Sequence, residues 1–388
     1  MNIRAKLLLD YYFGGFLHAI LKLPTILLGK ILRSDHDLKN CQEIAVLKLL
    51  GGGSLVIAYP ALLALKRLPH IRRLKLITTP AIKPFGEVLG IFDEIIVIRD
   101  NGLVALAKDS AQAFRRLFAC DAIIDLEIHS RLTTVFMLLT CARNRIGFFT
   151  NISFWRQHLN THLLFCNVSN GIYSFYDQIA AIFGATSAAY EECRGSFRGQ
   201  LGTYKFEGDR ARLAIAPVCS GLSKERMLLP EEWIRILSER LLPRGDKANI
   251  EIHLLGGPAD RPELEELKAL IEASFPFLAG VWNYAGKTKL RESVQILDAM
   301  DEVLCIDSSL LHFSRLLGRR TTSYWGPTDP RTLARPNDNG MDEIHYVKIS
   351  CSPCVHMSHQ PPCKGNNICM RLAANPDASV LHNPAWLK

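Results

Sequence analysis

The stretch Val303-Leu-Cys-Ile-Asp307-Ser-Ser-Leu-Leu-His312-Phe-Ser-Arg-Leu-Leu-Gly318, followed by Tyr324-Trp-Gly326-Pro-Thr-Asp329-Pro330, decides the fold class. An apolar run ends in an acid and two hydroxyls, and an apolar pattern of helical period follows. A second apolar run then breaks into Gly-Pro-Thr-Asp-Pro. Both breaks read as strand-to-loop junctions of an α/β sheet, where small anionic ligands sit. Asp307 suits a ligand hydroxyl. Ser308, Ser309 and the N–H groups opening the next helix suit phosphate oxygens. The competing explanation is a capped helix after a buried strand, since Asp and Ser are ordinary N-caps.

These residues resemble the D-[ST]-G-x-x-H-x-x-x-x-x-G … [FY]-G-P-T-D-P signature of the heptosyltransferase-like glycosyltransferases, family 9. Ser309 stands where the family has Gly, so the backbone is less free there. The resemblance implies a GT-B architecture: two Rossmann-like parallel-sheet domains facing a central cleft, with the acceptor on the N-terminal half and the donor on the C-terminal half.

Outward from this stretch the pattern repeats. Ile44–Leu50 reads as a strand, Gly51-Gly-Gly53 as a turn and Leu55–Leu68 as a helix with Pro60 near its start. Leu74–Thr78, Ile95–Ile98 and Ala122–Leu126 read as strands, and Leu103–Phe118 as a helix. The alternation resumes with strands at Leu213–Ala216 and Ile250–Leu255 and helices at Pro230–Leu242, Glu263–Ser274 and Ser293–Met300. Strands alternating with helices predict parallel sheets covered on both faces. Residues 150–205 are less regular and read as a linker or interdomain region. The expected division is an N-terminal helical segment at 1–40, an acceptor domain at 41–195 and a donor domain at 205–388, with a Cys cluster at 351–369.

The 388 residues suit two ordinary domains, and 48% hydrophobic with 22% charged residues excludes a disordered chain. The net charge of +8 favours an acidic partner: a nucleotide-sugar, an anionic lipid or glycolipid, or nucleic acid. No nucleic-acid module is recognisable. Seven of the 11 Cys are scattered singly, which argues against a disulfide framework and for a reducing compartment.

Leu7–Leu28 is apolar but interrupted by Asp10, His18, Lys22 and Pro24. It lacks the uncharged core of a spanning helix and a small-residue cleavage site. With Arg4, Lys6, Lys22, Lys30 and Arg33 it suits a helix lying in an anionic membrane interface. The alternative is a helix packed on the catalytic domain. The expected location is cytoplasmic and peripheral, on the inner face of the cytoplasmic membrane.

Four segments carry candidate chemistry. The turn Gly51-Gly52-Gly53-Ser54 lies between strand and helix, and without a following Lys-Ser/Thr it is no P-loop. It resembles the family's opening turn, whose Asp is the family's candidate base; here Ser54 takes that place, and a hydroxyl needs its own base. Asp121-Ala-Ile-Ile-Asp125-Leu-Glu127-Ile-His129-Ser-Arg131 offers replacements at a strand end, resembling a D-L-E-x-x-S-R segment of some relatives. Sugar transfer onto an alcohol needs a group to take the acceptor proton. Glu127 and Asp125 are the candidates, with His129 a third; the alternative is a structural acid–Arg pair. Ala142-Arg-Asn-Arg-Ile-Gly147 also resembles a family run.

On the donor side, Ile215-Ala-Pro217-Val-Cys-Ser220-Gly221-Leu-Ser223-Lys224-Glu-Arg226 is a strand followed by a hydroxyl-rich loop with a cation. Lys224 suits the charge growing on a leaving diphosphate, and Ser220 its orientation. The resemblance places Lys224 on the family's donor-phosphate lysine. Leu254-Leu-Gly256-Gly257-Pro258-Ala259-Asp260 is a strand-end loop whose glycines allow close approach of a nucleotide. Gly326 and His312 complete the expected donor set with Asp307, Ser308 and Ser309.

Last comes Cys351-Ser-Pro-Cys354-Val-His356 … Cys363 … Cys369. Four thiols in a loop rich in Pro, Gly and Asn suit a structural tetrahedral site for Zn or Fe, with His356 and His359 as alternative ligands. Certain protein-modifying heptosyltransferases resembling this family bind iron in this way. Redox-active or unliganded thiols are the alternative. No cofactor is expected in the chemistry itself.

The expected function is inverting transfer of a sugar, heptose by resemblance, from a nucleotide-sugar such as ADP-heptose to a lipopolysaccharide-type or other surface glycan. The rivals are transfer to a protein side chain and a degenerate sugar-nucleotide-binding scaffold.

Overall fold

The computed structural model describes residues 3–32, 36–219, 223–243, 249–337, 340–355, 363 and 367–375. The chain divides into two compact units, Met1–Ala189 and Tyr190–Lys388.

Unit one opens with α1 (Ile3–Leu9), a π-helical turn (Asp10–Gly14) and α2 (Gly15–Leu32). It continues with β1 (Glu43–Lys48), α3 (Gly52–Ile57), α4 (Tyr59–Lys66), β2 (Arg73–Thr78), α5 (Lys83–Leu89), β3 (Glu94–Val97) and α6 (Leu103–Leu117). Then follow β4 (Ala122–Asp125), α7 (Arg131–Leu139), β5 (Asn144–Phe149), β6 (His162–Phe165) and α8 (Ile172–Ile182). Every strand pair is parallel, in the order β3-β2-β1-β4-β5-β6. β1 is central: Val46 pairs with Leu76 on one side and Ile124 on the other. Ile44, Ala45, Val46 and Leu47 are buried, as a strand covered on both faces requires.

Unit two runs α9 (Tyr190–Leu201), β7 (Ala211–Ala216), a 3-10 turn (Lys224–Arg226), α10 (Pro230–Leu241), β8 (Ile250–Leu254), α11 (Arg261–Ser274) and β9 (Gly280–Asn283). It ends with α12 (Leu290–Asp298), β10 (Glu302–Ile306), α13 (Ser309–Leu317), β11 (Arg320–Trp325), α14 (Pro330–Leu333), β12 (Asp342–Tyr346) and α15 (Ile368–Ala374). Its strands are also all parallel, in the order β12-β11-β10-β7-β8-β9. Trp233 of α10 meets Tyr324 of β11 edge-on in the core.

Counted from its own first strand, each unit has the order 3-2-1-4-5-6, that of the doubly wound nucleotide-binding fold. The order reverses between β1 and β4 in one unit and between β7 and β10 in the other. Loops leaving the strands' carboxyl ends diverge there, so these two points hold ligands in such sheets.

Three expectations change. Residues 150–205 are not simply a linker: they supply β6, paired to β5 with Phe148 opposite Leu164, and the helices α8 and α9. The division falls before α9, which belongs with unit two, where Phe197 stacks on Phe313 of α13 at 5.8 Å. The predicted helix at Leu55–Leu68 is two, α3 and α4, with Pro60 in the first turn of the second. β9 and β12 had no counterpart in the sequence reading.

Candidate functional site

In unit one, the loops after β1 and β4 meet at the switch point. Glu127, two residues past the end of β4, turns its carboxylate onto the loop after β1. Its Oε1 accepts the N–H groups of Leu49 (2.7 Å) and Leu50 (2.8 Å) and lies 3.2 Å from the Lys48 ammonium. Lys48 closes an otherwise apolar strand and is buried. Burial opposes its charge, yet Glu127 and Tyr176 together raise its pKa above the ordinary value. Tyr176 of α8 is buried beside it, its phenol raised by desolvation, and bonds to Ser54. The position where the family signature has an acid thus holds a Ser54–Tyr176 hydroxyl pair.

Asp125 lies wholly inside the protein. It is 3.1 Å from Arg156, accepts Thr133 Oγ1 at 2.7 Å and accepts the Glu127 N–H at 2.9 Å. A carboxylate so enclosed cannot reach an acceptor hydroxyl, so its candidacy as a base gives way to positioning the Glu127 loop. Arg156 adds bonds to the carbonyls of Glu127 and Ser130. The structural acid–Arg pair is therefore real, and it is Asp125–Arg156, not Glu127. His129 is exposed. The glycine turn has a packing reason: Gly51 adopts a left-handed φ of 73°, and a Cβ on Gly52 would meet the Phe85 ring at 2.4 Å. Gly53 sits in the first turn of α3.

In unit two, the loops after β7 and β10 meet at the second switch point. Arg226 donates to the Asp307 carbonyl at 2.9 Å and lies 3.3 Å from its Oδ2. His312 Nε2 stands 3.7 Å from Asp307 Oδ1 on the other side. Burial holds the His312 imidazole down at about 4, so it is neutral at ordinary pH. It buttresses Asp307 from inside.

Ser308 is the N-cap of α13, yet its hydroxyl makes no cap bond; it is buried and unpartnered among the described residues. Thr328 Oγ1, after β11, is likewise buried and unpartnered. The orphaned Ser308 hydroxyl and the start of α13, with Ser309 in its first turn, make a polar, donor-rich spot next to Asp307. Polar groups left this way await a ligand or water.

Lys224 is exposed and its charge faces Glu263. The cation at Asp307 is Arg226, two residues on. Ser220 lies outside the described residues. Gly256 and Gly326 are both closely packed. A Cβ on Gly256 would meet Leu264 at 2.7 Å, and one on Gly326 would meet Cys369 Sγ at 2.8 Å and Met370 N at 2.9 Å. Gly257 donates its N–H to Asp260 at 2.8 Å, which closes that turn. Asp329 caps α14 through the Arg331 N–H and pairs with the Arg331 guanidinium.

Cys351, Cys354, Cys363 and Cys369 lie near enough to influence one another: after burial, their mutual charge pushes the Cys354 thiol up and the Cys369 thiol to about 11. Yet among the described residues no three His, Cys, Asp or Glu side chains converge closely enough to hold a metal. The alternative ligands His356 and His359 lie outside the described residues.

The sequence model for glycosyltransferase family 9 (heptosyltransferase) matches residues 181–364, which span the Arg226–Asp307 site. Over that stretch the chain is similar to glycosyltransferase family 9. It is also 30% identical over 132 residues to the lipooligosaccharide heptosyltransferase 2 of Haemophilus influenzae. That match spans 33% of this chain and 36% of the relative's length.

Two solved family structures show the same fold. The Escherichia coli ADP-heptose lipopolysaccharide heptosyltransferase II superposes with a TM-score of 0.60 at 15% identity, covering 85% of this chain and 98% of that one. The family 9 glycosyltransferase of Veillonella parvula gives 0.60 at 16% identity, covering 80% and 87%. Two parallel six-stranded units of this kind are the GT-B fold.

Lys48, Tyr176 and Arg156 escaped the sequence reading. Lys48 had a signal, a lone cation ending a buried strand. Arg156 and Tyr176 had none, because they lie in the stretch that reads as irregular.

Proposed function

We propose that this protein is an inverting glycosyltransferase of family 9 that moves a sugar from a nucleotide-sugar donor to a hydroxyl of a lipopolysaccharide-type or other surface glycan. The observation that carries the reading is the Arg226–Asp307 pair beside the open N-terminus of α13 and the orphaned Ser308 hydroxyl. The names of its relatives favour an ADP-heptose donor: one E. coli heptosyltransferase of this fold was solved with ADP-2-deoxy-2-fluoro heptose.

Unit two binds the donor. Arg226 and the α13 N–H groups face the diphosphate, and Ser308 and Asp307 hold hydroxyls of the donor. Unit one supplies the base. As the acceptor oxygen attacks the anomeric carbon, its proton passes to Glu127, the new C–O bond forms and the bond to the diphosphate breaks. The diphosphate leaves with the electron pair, and its growing charge is offset by Arg226 and the helix N-terminus. Attack opposite the leaving group inverts the anomeric centre. Asp125, Arg156 and Lys48 position Glu127.

A second reading, a sugar-nucleotide-binding scaffold, is favoured by the Ser54–Tyr176 pair standing where the family signature has its acid. Purified protein is incubated with ADP-heptose and other sugar nucleotides, with glycolipid and protein acceptors offered side by side. Turnover abolished by Glu127→Gln supports the enzyme. Tight nucleotide binding with no transfer or donor hydrolysis supports the scaffold. Transfer to the protein acceptor alone would redirect the assignment to protein glycosylation.

A further inference from the structure

The N-terminal helix presents an apolar stripe that is exposed among the described residues. Phe16, Ile20, Leu23, Leu27 and Ile31 recur at spacings of four, three, four and four, which places them on one face of α2. They are between 52% and 74% exposed. Leu7, Leu8, Tyr11, Tyr12 and Phe13 extend the exposed apolar surface toward the N-terminus. A soluble protein seldom leaves so continuous an apolar surface in water.

The opposite face of the same helix is latched. Asp10, at the π-helical turn, accepts Ser130 Oγ at 2.6 Å, Arg131 N at 2.9 Å and Leu132 N at 2.8 Å, so it caps α7 from a distant part of the chain. His18 is buried, bonds the Arg131 carbonyl and meets Trp155 edge-on at 4.9 Å. Gly14 lies against Arg131, where a Cβ would come within 2.7 Å. Arg131 in turn sits over the Tyr11 ring at 4.4 Å.

By length and composition Ala5–Ile31, with a mean hydropathy of 1.3, would suffice to cross a membrane. The latch argues otherwise, since a helix threaded through a bilayer cannot keep Asp10 and His18 on α7. Lys30 lies on the helix beside the stripe, Lys22 falls toward the half-buried latched side, and Arg4 and Arg33 flank the stripe in the sequence. Apolar stripe, flanking cations and a latched inner face together match a bilayer whose surface is negative.

We propose that α2 docks the protein on an anionic lipid bilayer, lying in the interface with its stripe among the acyl chains and Lys30 at the head groups. This surface is independent of the transfer reaction proposed above.

The test is co-sedimentation of the full chain with phosphatidylcholine vesicles, with and without phosphatidylglycerol. Binding should require the anionic lipid and weaken with salt. Phe16→Gln/Leu23→Gln/Leu27→Gln should lower partitioning roughly a hundredfold or more. Lys30→Gln should lower it about fivefold. Leu27→Gln/Ile31→Gln, beyond the latch, should also weaken binding and keeps the test readable if the triple variant misfolds. Unchanged sedimentation of the folded apolar variants would overturn the proposal. So would bound protein that resists alkaline extraction, which marks a spanning helix. A dimer dispersed by these substitutions, with vesicle binding intact, would instead assign the stripe to a second copy.

Discussion

Arg226 holds Asp307 from a position 81 residues earlier in the chain, donating to its backbone carbonyl and facing its carboxylate. The contact closes the switch point of unit two and puts a guanidinium where a donor diphosphate would sit. Arg226→Ala should therefore weaken ADP binding by about tenfold to a hundredfold, since a charge-assisted hydrogen bond contributes about 1.5–3 kcal/mol. Lys224→Ala should have the smaller effect. Titration calorimetry with ADP on both variants checks the order; the reverse order would return the diphosphate to Lys224.

Glu127 is the carboxylate proposed for proton transfer, since Asp125 is enclosed. Glu127→Gln keeps an oxygen for the Leu49 and Leu50 N–H groups but loses basicity and the negative charge paired with buried Lys48. The rate of transfer should fall between about a hundred- and ten-thousandfold, with ADP affinity unchanged. Steady-state kinetics beside calorimetry separate the two quantities. A variant that turns over normally would exclude Glu127 as the base.

Asp125 sets a pH dependence of stability. Burial, the largest influence, pushes its carboxyl from 3.8 up to about 6, against the pull of Arg156 and Thr133. The folded chain then binds this proton more tightly than the unfolded chain. Its protonation stabilises the fold as pH falls from about 6 toward about 4, and that contribution is lost as pH rises through 6. Urea unfolding of the parent and Asp125→Asn across this window should show the slope in the parent only. Equal slopes would mean that Arg156 keeps Asp125 ionised throughout.

Asp10 adds a distant cap to the local Ser130 cap on α7. Asp10→Ala should cost about 1–2 kcal/mol, the range for losing a capping side chain, and lower the midpoint of thermal unfolding. No change in the midpoint would mean that Ser130, whose Oγ accepts the Thr133 N–H, caps α7 alone.

Gly326 tests packing against ligand approach. A Cβ there meets Cys369 and Met370 of α15, so Gly326→Ala should destabilise by about 1–3 kcal/mol, as overpacking does. ADP binding by the folded fraction should be retained. Loss of ADP affinity without loss of stability would restore Gly326 to the donor site.

Local patterns carried much of this into the sequence. Val303–Ile306 followed by Asp307 and a helical pattern was readable because strand, cap and helix are all short-range. The same holds for β1, β4 and β7, whose apolar runs are continuous. β6 was missed because only one of its four residues, Leu164, is buried, which leaves no alternation to see. The cysteine spacing suggested a metal set; among the described residues no three candidate ligands converge.

By itself the sequence determined two parallel α/β units, a family 9 signature at the end of β10 and an apolar basic N-terminus. Periodicity and turn chemistry are local, so they survive without the fold. Only the tertiary structure decided which charges meet: Arg226 rather than Lys224 at Asp307, Arg156 at Asp125, and Asp10 on α7 across 120 residues. Such pairings depend on strand order and on loops brought together at the switch points, and no spacing along the chain encodes them.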